Sequence, residues 1–290
     1  MALLPPKVKQ SLRRTLKRNR VAPRLLVSPL CPLPDFIVVG AMKSATSSLY
    51  HNICEHPRIV PAIAKEVRFF GSRYHQKSMR WYRAHFPVLL NGLKQERRLT
   101  GEASPSYIFN PQVPGRIREH LPEVRIIVIL RNPVERAYSH YNHFVKIGTE
   151  SAPSFEEALA KEEQEEATLR AEYAKMLDDD RYHSDHYFRY SYLLARGRYV
   201  EQLEVYARHF PKEKMLILKT EDFYEDASAV LNRAYAFLGL PAWEIDRPKK
   251  YMVGRYSGME PATRAYLSDY YRPHNERLYA FLGTDLGWEQ

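Results

Sequence analysis

Three short, continuous apolar runs rich in β-branched residues constrain the fold of this chain more than any other feature: FIVVG (36–40), VRIIVIL (124–130) and KMLILKT (214–220). Each is bounded by breakers and has no alternation of polar with apolar side chains, the pattern of strands buried on both faces of a parallel sheet. Each also leads into a helical pattern. SATSSLYHNICEH follows the first; PVERAYSHYNHFVKIG, with Pro133 near its first turn, follows the second; EDFYEDASAVLNRAYAFLGL, ending at Gly239 and Pro241, follows the third. Strands alternating with helices predict an α/β, three-layer fold: a central, mainly parallel sheet flanked by helices.

Between the second and third strands, PSFEEALAKEEQEEATLRAEYAKML through GRYVEQLEVYARHF (153–210) reads as helical with charged faces and is interrupted by the loop DDDRYHSDH. A helical insertion of about 150–195 in the α/β frame is expected. The C-terminal EPATRAYLSDYYRPHNERLYAFLG has a helical apolar rhythm that should break or kink at Pro273. A length of 290 residues, 44% hydrophobic, suits one large domain spanning 34–290. It is preceded by a basic arm, residues 1–33, that has no acidic residue and is expected to be peripheral.

The 44 Lys and Arg against 34 Asp and Glu leave a net charge of +10, which favours an anionic partner without choosing among nucleotide, sulfated glycan, nucleic acid and membrane surface. No stretch approaches the roughly 18 apolar residues that a membrane-spanning helix requires, and no signal-peptide pattern opens the chain. No membrane span and a soluble, cytoplasmic protein are therefore expected. The two cysteines, Cys31 and Cys54, have no metal-ligand spacing and read as structural or free thiols.

In open α/β sheets ligands bind at the carboxyl ends of the strands. GAMKSATSS (40–48) sits at such an end and runs into a helix, whose free N–H groups and positive dipole end suit an anion. Lys43, Ser44, Thr46, Ser47 and Ser48 add an ammonium and four hydroxyls. The pattern departs from the G-x-x-x-x-G-K-[ST] loop of nucleoside-triphosphate sites: the second glycine is missing and the lysine comes early. A Mg²⁺-dependent phosphotransferase would also place an aspartate after a neighbouring strand, whereas VRIIVIL runs into Arg131. Arginine offers a bidentate fork to phosphate, and Ser139 lies eight residues on, about two helical turns along the same face. Two basic strand ends in one sheet imply a ligand with phosphates at two places, such as a nucleotide phosphorylated at both its 5′ and 3′ ends.

With those residues set out, GAMKSATSSLY and RNPVERAYSHY resemble the 5′-phosphosulfate loop and 3′-phosphate motif of sulfotransferases that use 3′-phosphoadenosine 5′-phosphosulfate (PAPS). The nearest subfamily by these motifs is that of the heparan sulfate N- and O-sulfotransferases and their bacterial relatives. The resemblance runs from about residue 35 to 288. It includes HPRIVPAIAKEVRFFG, similar to the family's H-P-x-V…K-E-x-H-F-F segment, the forty-residue stretch GEASPSYIFNPQVPGRIREHLPEVRIIVILRNPVERAYSHY, RGRYVEQLEVYARHFPKEKMLILKTEDF, and FLGLP.

The resemblance implies that Lys43 contacts the 5′-phosphate and sulfonate, and that residues Ser44, Ala45, Thr46, Ser47 and Ser48 hold the same phosphate. It further implies that Arg131 and Ser139, with Gly254, Arg255 and Tyr256, take the 3′-phosphate, and that Glu66 is the catalytic base. Burial beside Phe69 and Phe70 would raise the Glu66 pKa while Lys65 and Arg68 would lower it. Two departures stand out. Ala103 replaces the lysine of the animal enzymes' E-K-S-x-x-Y, and VGRYSG (253–258) stands for their disulfide-tied K-G-R-x-H-P loop. His140, His143 and His75 are alternative bases, because histidine serves in other sulfotransferase branches.

The implied reaction is sulfuryl transfer from PAPS to a hydroxyl or amine of a carbohydrate or small-molecule acceptor, with no metal and no nucleic acid. The acceptor's identity and the oligomeric state stay open. The alternatives are a P-loop kinase or related phosphotransferase and a basic nucleic-acid-binding module. The second would require exposed aromatics interleaved with the basic residues, and the arm has none.

Overall fold

The computed structural model describes residues 21–88, 97–182, 192–246, 248–249 and 258–289. In chain order the main elements are β1 (Phe36–Gly40), α1 (Thr46–Ile53), β2 (Ile59–Pro61), α2 (Met79–Arg83), β3 (Leu99–Ala103), α3 (Val113–His120), β4 (Arg125–Leu130), α4 (Pro133–Lys146), α5 (Phe155–Gln164) and α6 (Glu166–Asp178). They continue with α7 (Tyr199–Ala207), β5 (Met215–Lys219), α8 (Thr220–Glu225), α9 (Ala227–Phe237) and α10 (Pro261–Leu282). Among the described residues five strands form one sheet in the order β2-β3-β1-β4-β5, and every pairing between them is parallel.

Side chains alternate across β1, so the strand feeds two cores. Ile37 and Val39, with Ile126, Val128 and Leu130, pack against Val113 and Ile117 of α3, Tyr199 and Leu203 of α7, and Phe69, Phe70, Tyr82 and Tyr107. Phe36 and Val38, with Ile127 and Ile129, pack against Leu49 and Ile53 of α1 and Leu231 and Tyr235 of α9. Burying each large apolar side chain contributes about 1.5–3 kcal/mol, and this two-sided burial is why the three runs carry no polar alternation.

The apolar runs correspond to β1, β4 and β5. Strands β2 and β3 carry no such signal. β2 is three residues long and ends in Pro61, at the sheet edge where a missing N–H is tolerated. β3 (LTGEA) is fully buried although it contains Thr100 and Glu102. Gly101 pairs with Phe36, and a Cβ there would meet the phenyl ring at 2.5 Å, so only glycine fits.

The charged helical segment divides at Glu165 into α5 and α6, with Ser154 Oγ capping α5 by accepting from the Glu157 amide at 3.1 Å. The expected break at Pro273 does not occur: α10 runs through it as one helix. Leu267 and Tyr271 before the proline and Asn275 and Leu278 after it are buried, so packing on both sides holds the helix together despite one missing backbone donor. Residues 21–31 of the basic arm fold against α2, burying Val21, Ser28 and Cys31. Both cysteines are free thiols.

Candidate functional site

β1 ends in a tight passage. A Cβ on Gly40 would lie 2.3 Å from Ile108 Cγ2, because the 104–110 turn hydrogen-bonds directly to the strand. Ser104 N donates to Val38 O at 3.0 Å and Ile108 N to Val39 O at 2.9 Å. Beyond it, Lys43 and Ala45 take left-handed backbone (φ 69° and 56°), curling the chain so that α1 starts at Thr46. Ala45 is the N-cap and supplies no side-chain acceptor. The first intrahelical bond is Leu49 N to Ala45 O, so the amides of the first turn are available to a ligand. Thr46 and Ser48 are buried, and Ser47 is half-buried.

Arg131 emerges from β4 beside this loop and donates from Nη1 to Lys43 O at 3.4 Å; its Nη2 lies 3.8 Å from Glu135 Oε2. Tyr199, on α7, donates to Arg131 O at 2.8 Å, fastening this strand end to α7. Asn132 starts α4 by accepting from Val134 N at 3.0 Å and Glu135 N at 3.4 Å. Ser139 lies buried two turns along it. The Lys43 ammonium is pushed down to about 8 by its own burial first, then by Arg131 and Lys146. Cations gathered at helix-start amides fit a polyanion.

The Glu66 loop sits across from β3. Glu66 and Arg68 both adopt left-handed backbone (φ 65° and 57°). Glu66 N donates to Ala103 O at 2.9 Å and Arg68 N to Ser104 Oγ at 3.1 Å. The carboxylate is gripped from both sides: Lys65 Nζ lies 3.3 Å from Oε1, and Arg68 approaches Oε2 with Nε at 3.1 Å and a second guanidinium nitrogen. Burial raises the Glu66 pKa, but Lys65 and Arg68 together outweigh it and the net shift is downward. Phe69 and Phe70 point into the core. Ala103 is packed in the opposite core layer; Lys65 and Arg68 are the cations that flank Glu66 where the family motif has a lysine on β3.

The histidines differ sharply. His143 has its pKa lowered by burial first, then by Lys43 and Lys146, with Glu66 acting in the opposite direction. His140 is fully buried, 3.0 Å from Arg136 Nη1, and kept neutral by burial and that cation. His75 pairs with Asp180 at the end of α6. Gly254, Arg255 and Tyr256 lie outside the described residues.

Two further groups support the site and have no local signature in the sequence. Glu102 is wholly buried and accepts hydroxyl bonds from Ser104 (2.7 Å), Tyr82 (2.9 Å) and Tyr107 (3.3 Å), with its pKa pushed up to about 7 by burial. Because Ser104 also accepts from Arg68 N, Glu102 is the post to which the Glu66 loop is tied. Glu162, on α5, accepts from the amides of Leu193, Leu194 and Ala195, and so shapes the turn that carries Arg196. Arg196 stacks on Phe109 at 4.1 Å and donates to Met42 Sδ at 3.5 Å, immediately before Lys43. The periodicity of α5 shows only that position 162 faces inward.

Residues 33–253 match the family described as Sulfotransferase domain. Heparan sulfate glucosamine 3-O-sulfotransferase 3B1 of Mus musculus is 30% identical over 281 residues, 89% of this chain and 65% of that protein. The membrane-associated sulfotransferase kil1 of Dictyostelium discoideum is 26% identical over 95% of this chain and 71% of its own length. The chain thus spans a little under two thirds of the mouse relative. Among solved structures, a sulfotransferase from Alicyclobacillus acidocaldarius superposes with a TM-score of 0.71 at 30% identity, covering 89% of this chain and all of that one. With residues 33–253 matching the family model and the fold matching a solved sulfotransferase at 30% identity, the chain belongs to the sulfotransferase domain family.

Proposed function

We propose that the protein is a PAPS-dependent sulfotransferase of the EC 2.8.2 type acting on a hydroxyl or amine of a carbohydrate acceptor. The observation that carries this reading is the half-buried Lys43 ammonium set beside Arg131 at adjacent parallel strand ends, over the uncapped start of α1. When bound, PAPS supplies an electrophilic sulfur and a phosphate leaving group. Lys43 and the amides of residues 45–48 hold the 5′-phosphate and neutralise the charge that grows on it, the form of preorganised stabilisation that contributes most in such sites. Arg131, with Ser139, takes the 3′-phosphate. Glu66 accepts the acceptor's proton, and the clamp by Lys65 and Arg68 keeps its carboxylate ionised and aimed. His143, whose imidazole responds to the charges of both Lys43 and Glu66, is the second candidate base.

The carbohydrate acceptor is inferred from the mouse relative, whose name places its sulfation on heparan sulfate glucosamine. A kinase reading is disfavoured by electrostatics, since Arg131 occupies the strand end where a metal-binding carboxylate would be required. Isothermal titration calorimetry without Mg²⁺ tests the donor site: 3′-phosphoadenosine 5′-phosphate should bind at least tenfold more tightly than adenosine 5′-phosphate. Equal affinities would refute the 3′-phosphate assignment.

A further inference from the structure

Residues 21–31 invert the usual arrangement of a protein surface. The polar side chains Arg24 and Ser28 turn inward: Arg24 Nε donates to Ala84 O at 2.9 Å and Ser28 Oγ to Leu25 O at 2.9 Å. The exposed positions are Ala22, Pro23, Leu26, Val27, Pro29 and Leu30, all apolar. Leu26 is 80% exposed, Leu30 68% and Val27 40%. Single exposed leucines need no explanation, but a contiguous apolar patch does. The segment is rigidly presented, because Arg80 Nε holds Leu25 O at 3.0 Å and Arg83 Nη1 reaches Pro29 O and Cys31 O at 3.5 Å.

The surroundings of the patch are basic. Arg80, exposed, and Arg83, half-exposed, both bond to the segment. The twenty residues that lead into it hold seven Lys and Arg and no Asp or Glu. An apolar wedge within a cationic rim matches the boundary between acyl chains and anionic headgroups, where buried apolar area and about 1 kcal/mol per Lys or Arg add together. Nucleic acid is the poorer match, since it would call for exposed aromatic rings, and the segment has none. We infer that this face docks the protein on an anionic phospholipid surface, with Leu26, Val27 and Leu30 entering the headgroup layer.

Co-sedimentation with vesicles tests the inference. The full chain should pellet with phosphatidylcholine vesicles containing about one third phosphatidylserine and remain in the supernatant with phosphatidylcholine alone. Binding should weaken as salt rises from about 0.1 M to 0.5 M, where screening shortens the reach of the basic rim. The double variant Leu26→Asp/Leu30→Asp should lose at least tenfold in partition coefficient with unchanged circular dichroism and unchanged calorimetric affinity for 3′-phosphoadenosine 5′-phosphate. No binding to the anionic vesicles, or binding that the double variant leaves intact, overturns the proposal. So does a wild-type dimer that the double variant converts to monomer, because the patch would then be covered by a second copy.

Discussion

Replacing Glu102 by Gln separates the electrostatic cost of the buried post under the Glu66 loop from its shape. The carboxyl group is fully buried, and burial holds its pKa at about 7 against an ordinary 4.5, despite the hydroxyls of Ser104, Tyr82 and Tyr107 that favour the charged form. A raised carboxyl pKa means that the folded state prefers the proton. Its contribution to stability is fully present below pH 4.5 and is lost as pH rises towards 7, where the folded form ionises too. The whole loss is about 3 kcal/mol, of which about 2.5 kcal/mol falls between pH 5 and pH 8. Glutamine keeps the shape and cannot ionise. At pH 5 the variant should be about 1–2 kcal/mol less stable than wild type, because an NH₂ now faces Ser104 Oγ, which already accepts from Arg68 N. By pH 8 the gap should close or reverse. Urea unfolding followed by circular dichroism at both pH values measures the difference of differences. Other titrating groups, such as buried His85 with its pKa pushed down to about 4, act in both proteins and cancel. Parallel changes in wild type and variant would refute the reasoning.

Lys43, pushed down to about 8, should lose its proton as pH rises through that value. Calorimetric affinity for 3′-phosphoadenosine 5′-phosphate should therefore fall between pH 7 and pH 9 in wild type, while Lys43→Ala binds at least tenfold more weakly at pH 7 and shows a flatter pH dependence. Arg68→Ala removes one of the two cations that outweigh burial at Glu66, so the acidic limb of the pH–rate profile should move to higher pH; an unmoved limb would transfer the base role to His143. Gly101→Ala places a Cβ 2.5 Å from the Phe36 ring and should cost about 1–3 kcal/mol by overpacking two central strands, read as a lower melting temperature.

The 40–48 loop and the Arg131 strand end were legible as a strand end running into a helix start because those features are local. A strand, a turn and a helix start lie within a dozen residues of one another, and the apolar runs that deliver them are buried on both sides. The same logic explains what was not legible. β3 lies inside the sheet yet reads as polar, since Thr100 donates its hydroxyl to Val60 O at 2.7 Å and its amide to Asp35 Oδ2 at 2.9 Å, and Glu102 is satisfied by hydroxyls of Tyr82 and of Ser104 and Tyr107 in the following turn. Glu66 was singled out through the family motif, but the downward direction of its pKa was not legible: the balance between burial and two flanking cations depends on how closely Lys65 and Arg68 fold back on it.

The sequence by itself determined the α/β class, three of the five described strands, the early lysine of the 40–48 loop and the basic strand end beside it, because each is written in contiguous residues at the period of one element. Only the tertiary structure decided that α10 runs unbroken through Pro273, that Tyr199 of α7 holds the Arg131 strand end, that Glu102 anchors the Glu66 loop, and that Arg24 and Ser28 turn inward beneath an apolar patch. Those outcomes depend on contacts between residues distant in the chain, where burial and hydrogen-bond satisfaction across the whole molecule override what each segment prefers alone.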